Sequence, residues 1–258
     1  AIGTTTVTVT ATDDSSNVST CSFDVVVTDI NAPTITCAAA PASAEATSSA
    51  GASVSYDAAT ATDIGDSDLS VVYTAASGST FAIGTTTVTA TVTDDNGNSS
   101  TCSFDVTVVD TTVPAITCAA APGAAEATSP SGAAVSYDVA TATDIADDSV
   151  DITYSAASGS TFSIGTTTVT ATATDDNGNV STCSFDVVVA DTTVPTITCA
   201  DDISTEATSS AGASVSYDTT ATDVGDASLA MTYSAASGST FAIGTTTVTA
   251  TATDDSGN

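Results

Sequence analysis

The stretch Phe81–Asp110, FAIGTTTVTATVTDDNGNSSTCSFDVTVVD, decides the fold. From Thr87 to Thr93, valine and alanine alternate with threonine one residue at a time, and from Cys102 to Val108 the residues Cys102, Phe104, Val106 and Val108 share one parity. Strict period-2 alternation marks strands with one buried face. Between the two runs lies Asp94-Asp95-Asn96-Gly97-Asn98, whose Asn-Gly pair signals a tight hairpin because both residues tolerate positive φ. The stretch therefore reads as a β-hairpin with its apolar side chains and cysteine inward and a threonine ladder outward.

The hairpin recurs along the chain. Versions open at Ala1, Phe81, Phe162 and Phe241, and their cysteines, Cys21, Cys102 and Cys183, are separated by a constant 81 residues. About 80 residues can enclose a core of their own, whereas the units of a solenoid need their neighbours. An array of small domains follows: residues 1–29 as the last strands of an incomplete domain, 33–110 and 114–191 as complete domains, and 195–258 as a domain without its last strand. Both ends fall inside a repeat, so the sequence is expected to be a window on a longer chain. The linkers, Ile30-Asn31-Ala32-Pro33, Thr111-Thr112-Val113-Pro114 and Thr192-Thr193-Val194-Pro195, are short and partly stiffened by the fixed φ of proline. Within the first complete domain, shorter strands are expected at Thr34–Cys37, Val54–Tyr56 and Leu69–Tyr73. Several short strands, frequent turns and no helical period predict an all-β architecture of tandem immunoglobulin-like β-sandwich domains.

Composition narrows the function. The 258 residues contain no Lys, Arg or His, and their 31 acidic residues give a formal charge of −31. No salt bridge between side chains can form, and the basic patch that binds nucleic acid or an anionic membrane surface is missing. No apolar run approaches the ~20 residues that cross a bilayer as a helix. Disorder is the competing reading for an acidic chain rich in Thr and Ser, but the apolar residues are periodic, not scattered.

The pattern D-x-x-x-P-x-I-x-C, then V-S-Y-D with A-T-D, then S-G-S-x-F-x-I-G-T-T-T-V-T-A-T-x-T-D-D-N-G-N-x-S-T-C-S-F-D-V-x-V-x-D, closely resembles the hyalin repeat (HYR) domain. It covers essentially the whole chain. The resemblance implies an extracellular immunoglobulin-like module that occurs in tandem in adhesion proteins. Ala38 follows Cys37 where such modules commonly carry proline, and the basic residues found in relatives are absent here.

Three constellations are candidates for chemistry. The cysteines alternate in spacing between 16 and 65 residues, which fits neither a CxxC redox motif nor a zinc site. A disulfide framework in an oxidising compartment, with Cys37–Cys102 and Cys118–Cys183 each closing one domain, is the reading; buried free thiols are the alternative. Cys21 and Cys199 would then pair with partners outside this sequence. Asn17, Asn98 and Asn179 each open an N-x-S sequon at a hairpin tip, and the threonine ladders (Thr87, Thr89, Thr91) offer O-linked positions, with plain solvent-facing threonine as the simpler account. Finally, Asp63, Asp94, Asp95, Asp110, Asp144, Asp175, Asp176 and Asp191 are oxygen donors near turns or linkers, suited to Ca²⁺; in the hairpin loop, turn chemistry explains the same residues.

Catalysis is not expected. The carboxylates lie in turns or on outward positions, and a Ser or Cys nucleophile has no His, Lys or Arg beside it. The sequence thus predicts a disulfide-stapled extracellular array that forms a stalk or filament and self-associates or assembles end to end, with no cofactor required beyond possible Ca²⁺. The alternative is an adhesin that binds a protein or carbohydrate through a divergent loop, Asp63–Ser70, Asp144–Asp151 or Asp223–Leu229.

Overall fold

The computed structural model describes residues 2–258, and every regular element among them is a strand. The chain divides into two compact units, one of residues 1–112 with 144–148 and one of residues 113–143 with 149–258.

In the first unit, β1 (Gly3–Thr12) and β2 (Val18–Val27) form an antiparallel hairpin in the register Gly3↔Val27 to Thr12↔Val18. The first complete repeat follows as β3 (Thr34–Thr36), β4 (Ala44–Glu45), β5 (Ala52–Ser53), β6 (Thr60–Thr62), β7 (Val71–Tyr73), β8 (Thr80–Phe81), β9 (Gly84–Thr93) and β10 (Ser99–Val109). One sheet has the order β4-β10-β9-β7, with β4 parallel to β10 and the other pairs antiparallel. The pairs β3-β6 and β5-β8 complete the sandwich.

The alternation read from the sequence is the alternation of burial. Val88, Ala90 and Val92 of β9 are fully buried, as is Val106 of β10, while Thr85, Thr87 and Thr93 face solvent. Val54, Phe81, Val88, Phe104, Val106 and Val108 make one core, and Cys37 and Cys102 join the sheets through a disulfide. Tyr56 packs edge-on against Phe104 with ring centroids 4.8 Å apart, and its hydroxyl donates to the Ala75 carbonyl. Burying an aromatic ring while satisfying its hydroxyl keeps this small core free of an orphaned polar atom.

In the second unit the same pieces recur. Residues 115–190 repeat the four-stranded sheet, with Phe162, Phe185 and Val187 in the core, Tyr137 edge-on to Phe185, and a Cys118–Cys183 disulfide. In the last repeat, Thr196–Thr198 pairs with Thr220–Thr222, Ala213–Ser214 with Thr240–Phe241, and Ala230–Tyr233 with Ala250–Thr253. Cys21 and Cys199 are exposed thiols.

Two local expectations need correction. Val54–Tyr56 is not a strand; it is held by irregular bonds, the Val54 N–H donating to the Ser79 carbonyl and the Tyr56 N–H to the Ser77 hydroxyl. The hairpin tip lies where the sequence places it, but Asn96 does not share the positive φ of Gly97. Thr93 pairs with Ser99, leaving Asp94 to Asn98 as the loop, and only Gly97 has positive φ, at 92°. Asp94 sets this loop by accepting from the Asn96 and Asn98 N–H groups, the Asx geometry that aspartate favours in turns.

In the β1–β2 hairpin, Ser16 stands where the other tips carry glycine, and it adopts φ 64°. A side chain in this region costs about 1–2 kcal/mol. Ser16→Gly is therefore expected to stabilise the hairpin by about 1 kcal/mol, read as slower amide exchange across β1 and β2.

Candidate cation site at the linkers

Three aspartates distant in sequence meet in the first unit. Asp29 leaves β2 and opens a linker, Asp63 follows β6, and Asp94 follows β9 at the start of the hairpin loop. Each offers a carboxylate oxygen, and the three oxygens lie within 4.8 Å of one another. The second unit repeats the arrangement with Asp191, Asp223 and Asp254.

Local hydrogen bonds hold each carboxylate. Asp63 Oδ1 accepts from the Gly65 and Asp66 N–H groups at 2.7 and 3.1 Å. Asp94 is buried; its Oδ1 accepts from Asn96 and Asn98 N–H, and its Oδ2 from Asn98 Nδ2 at 2.7 Å. Asn98 Nδ2 also donates to the Asp29 carbonyl at 3.4 Å, tying the hairpin to the linker. Asn258 does the same in the second unit, donating to Asp254 Oδ2 and to the Asp191 carbonyl, each at 3.0 Å.

One oxygen in each triad lacks such a partner. Asp29 Oδ2 and Asp223 Oδ2 are buried and accept no hydrogen bond, an uncommon state for an acceptor that carries charge. Gly65 makes room for this oxygen, since a Cβ there would lie 1.9 Å from Asp29 Oδ2, and Gly225 likewise leaves room for Asp191. The middle repeat carries Ala146 at the corresponding position.

The electrostatics differ within a triad. Burial acts to raise the Asp94 and Asp254 carboxyls, but hydrogen bonds from Asn98 and Asn258 outweigh it and leave both below the usual range. Asp191 is raised, first by burial and then by the neighbouring charges of Asp223, Asp254 and Glu126, against the opposing Thr193 N–H bond. Like charges crowd here with no cationic side chain in the sequence to offset them.

Of the residues expected from sequence, Asp63, Asp94 and Asp191 belong to triads. Asp95 and Asp176 are exposed and stand outside them, the Asp95 N–H donating to Asp66 Oδ2. Asp110 Oδ1 accepts from the Thr112 N–H and Asp144 Oδ1 from the Ala146 N–H, and Asp175 repeats the Asp94 pattern with Asn177 and Asn179. Sequence reasoning missed Asp29, Asp223 and Asp254, although each is the repeat counterpart of a residue it named: Asp110, Asp144 and Asp175.

The sequon asparagines serve the turns. Nδ2 of Asn17, Asn98 and Asn179 donates to Asp13, Asp94 and Asp175, at 2.8, 2.7 and 2.8 Å.

A comparison with family models matches the HYR domain three times in tandem, over residues 28–108, 109–189 and 190–258. The chain belongs to the HYR domain family. Its HYR repeats form an extracellular or cell-surface array of the adhesion-related kind. Among solved structures, it is similar to Protocadherin Gamma B2 extracellular cadherin domains 3-6, at 16% identity and a TM-score of 0.33, covering 76% of this chain and 59% of that one. Drosophila N-cadherin EC1-4 is similar at 14% identity and a TM-score of 0.28, with 90% of this chain and 71% of that one covered.

Proposed function

We propose that these HYR repeats are a structural, non-enzymatic array, a stalk or filament of an extracellular surface, whose linkers are stiffened by bound Ca²⁺. The observation that carries this reading is the triad: in each unit a linker aspartate meets two loop aspartates of the following repeat, with a buried oxygen left without a hydrogen bond. A hard cation that takes six to eight oxygen ligands suits such donors, with water completing the shell. It would also offset carboxylate crowding that no side chain of this protein can offset.

Calcium added to the oxidised chain is expected to raise its melting temperature, and a chelator to reverse the rise. At a free concentration 100 times the dissociation constant, each site contributes about 2.7 kcal/mol. An unchanged melting temperature would remove calcium from the account. Assembly into fibres is part of the same reading, because a charge of −31 keeps neighbouring chains apart until divalent cations screen it.

Glycans are expected at Asn17 before Asn98. Asn17 is exposed and its Nδ2 bonds within its own turn, whereas a glycan on Asn98 would take a proton from a nitrogen that also reaches the Asp29 carbonyl. Intact-mass and glycopeptide analysis of the secreted protein tests this order, and higher occupancy at Asn98 would contradict it. The adhesin reading draws on one observation, Ile64 at 95% exposure in the Asp63–Ser70 loop. It predicts that Ile64→Ser abolishes surface attachment while leaving melting unchanged.

A further inference from the structure

The three glutamates of this chain, Glu45, Glu126 and Glu206, all occupy one repeat position, and every other acidic residue is aspartate. The two units share what the longer side chain does. β4 runs parallel to β10 with Glu45 opposite Val109, and the Ala46 N–H donates to the Val109 carbonyl at 2.7 Å. From there the Glu45 carboxylate reaches past Asp110 into the linker. It accepts from the Thr111 N–H at 2.7 Å, the Thr111 hydroxyl at 3.0 Å and the Thr112 hydroxyl at 3.2 Å. In the second unit Glu126 lies opposite Ala190 and accepts from the Thr192 N–H at 2.7 Å, the Thr192 hydroxyl at 2.8 Å and the Thr193 hydroxyl at 3.0 Å. Three donors thus converge on one carboxylate, and bonds to an ionised acceptor are the stronger kind.

We propose that Glu45 and Glu126 are positioning residues that clamp the Thr-Thr pairs Thr111-Thr112 and Thr192-Thr193 to the domains those linkers leave, so fixing the aspartate just before each pair. For Glu126 this aspartate is Asp191 of the triad, and that final step rests on the cation reading. Side-chain length is the selective feature. An aspartate at the same backbone position falls about 1.5 Å short, one carbon–carbon bond, and cannot reach the linker N–H. A glutamine keeps both the length and an acceptor oxygen.

Amide hydrogen exchange on the full oxidised chain in chelator reads the clamp without any cation. Glu45→Ala and Glu45→Asp are both expected to speed exchange at Thr111 roughly tenfold, and Glu126→Ala and Glu126→Asp to do so at Thr192, the scale of one lost charged hydrogen bond. Glu45→Gln and Glu126→Gln should retain most of the protection, with the amides of β10 for the Glu45 variants and of the strand Val180–Ala190 for the Glu126 variants unchanged as the control for folding. Unaltered exchange at Thr111 and Thr192 in the Ala and Asp variants would overturn the clamp. Calcium titration then separates the two readings. If Glu126→Asp weakens calcium binding severalfold and Glu126→Gln does not, the positioning of Asp191 stands. If the unmodified protein binds no calcium while the exchange pattern holds, the clamp stands and the cation reading fails.

Discussion

Cys102→Ser is expected to cost the first complete repeat about 4 kcal/mol, the chain-entropy value for opening a cross-link that spans 65 residues. The effect is large because the core beside the bond is small. Its buried side chains are a few valines, alanines and two phenylalanines, and no side-chain ion pair is available anywhere in the sequence. A domain of this size loses about 4–8 °C of melting temperature per kcal/mol, so a fall of roughly 15–30 °C should appear by calorimetry. Cys37→Ser should match it, and the double variant should be no worse than either single one, because all three remove the same bond. A fall of only a few degrees would mean that β-sheet pairing and the Phe81–Phe104 core suffice alone.

Asp63→Asn is expected to change sign with calcium. In chelator the substitution removes one of three crowded carboxylates and should raise the melting temperature; in saturating calcium it removes a ligand and should lower it. Asp223→Asn should behave alike in the second unit. The Asp191 carboxyl gives the same argument a pH dependence. Its folded-state pKa is raised, first by burial and then by Asp223, Asp254 and Glu126, so the folded form holds this proton more tightly than the unfolded chain. Without calcium its charge destabilises the fold above that pKa, and the penalty is relieved as pH falls through it. Asp254, with its pKa lowered, works in the opposite direction and loses its stabilising contribution as pH falls through the lowered value. Calcium should therefore stabilise most at neutral pH and least in acid. A change of the same sign with and without calcium at Asp63 would show that the triad is only a turn cluster.

The long strands β9 and β10 were legible because ten or eleven residues give the period of two enough turns to declare itself, and because their faces carry unlike residues: valine against threonine, phenylalanine against aspartate. The strands β4, β5 and β8 are two residues each, too short for any period, and exist because the sheets beside them supply partners. Val54–Tyr56 alternates like a strand, yet Tyr56 turns inward to Phe104 and the backbone bonds irregularly to Ser77 and Ser79. The candidate site was half legible. Aspartate in a hairpin loop signals a turn and a ligand equally, and only the fold brings Asp29, Asp63 and Asp94 together. Sequence reasoning passed over Glu45, although the three glutamates share one repeat position, because its partner lies 66 residues away and is set by the parallel pairing of β4 with β10.

Single-molecule extension of the oxidised chain, repeated after reduction, tests the structural role most directly. Each disulfide locks the residues between its cysteines, so a stapled repeat yields a short step when its sheets part. Reduction should lengthen the step by roughly 220 Å for each of the repeats closed by Cys37–Cys102 and Cys118–Cys183, the contour length of 65 residues. Calcium should raise the force at which the first step occurs. Steps of equal length in both redox states, at forces indifferent to calcium, would contradict a disulfide-stapled, cation-stiffened array.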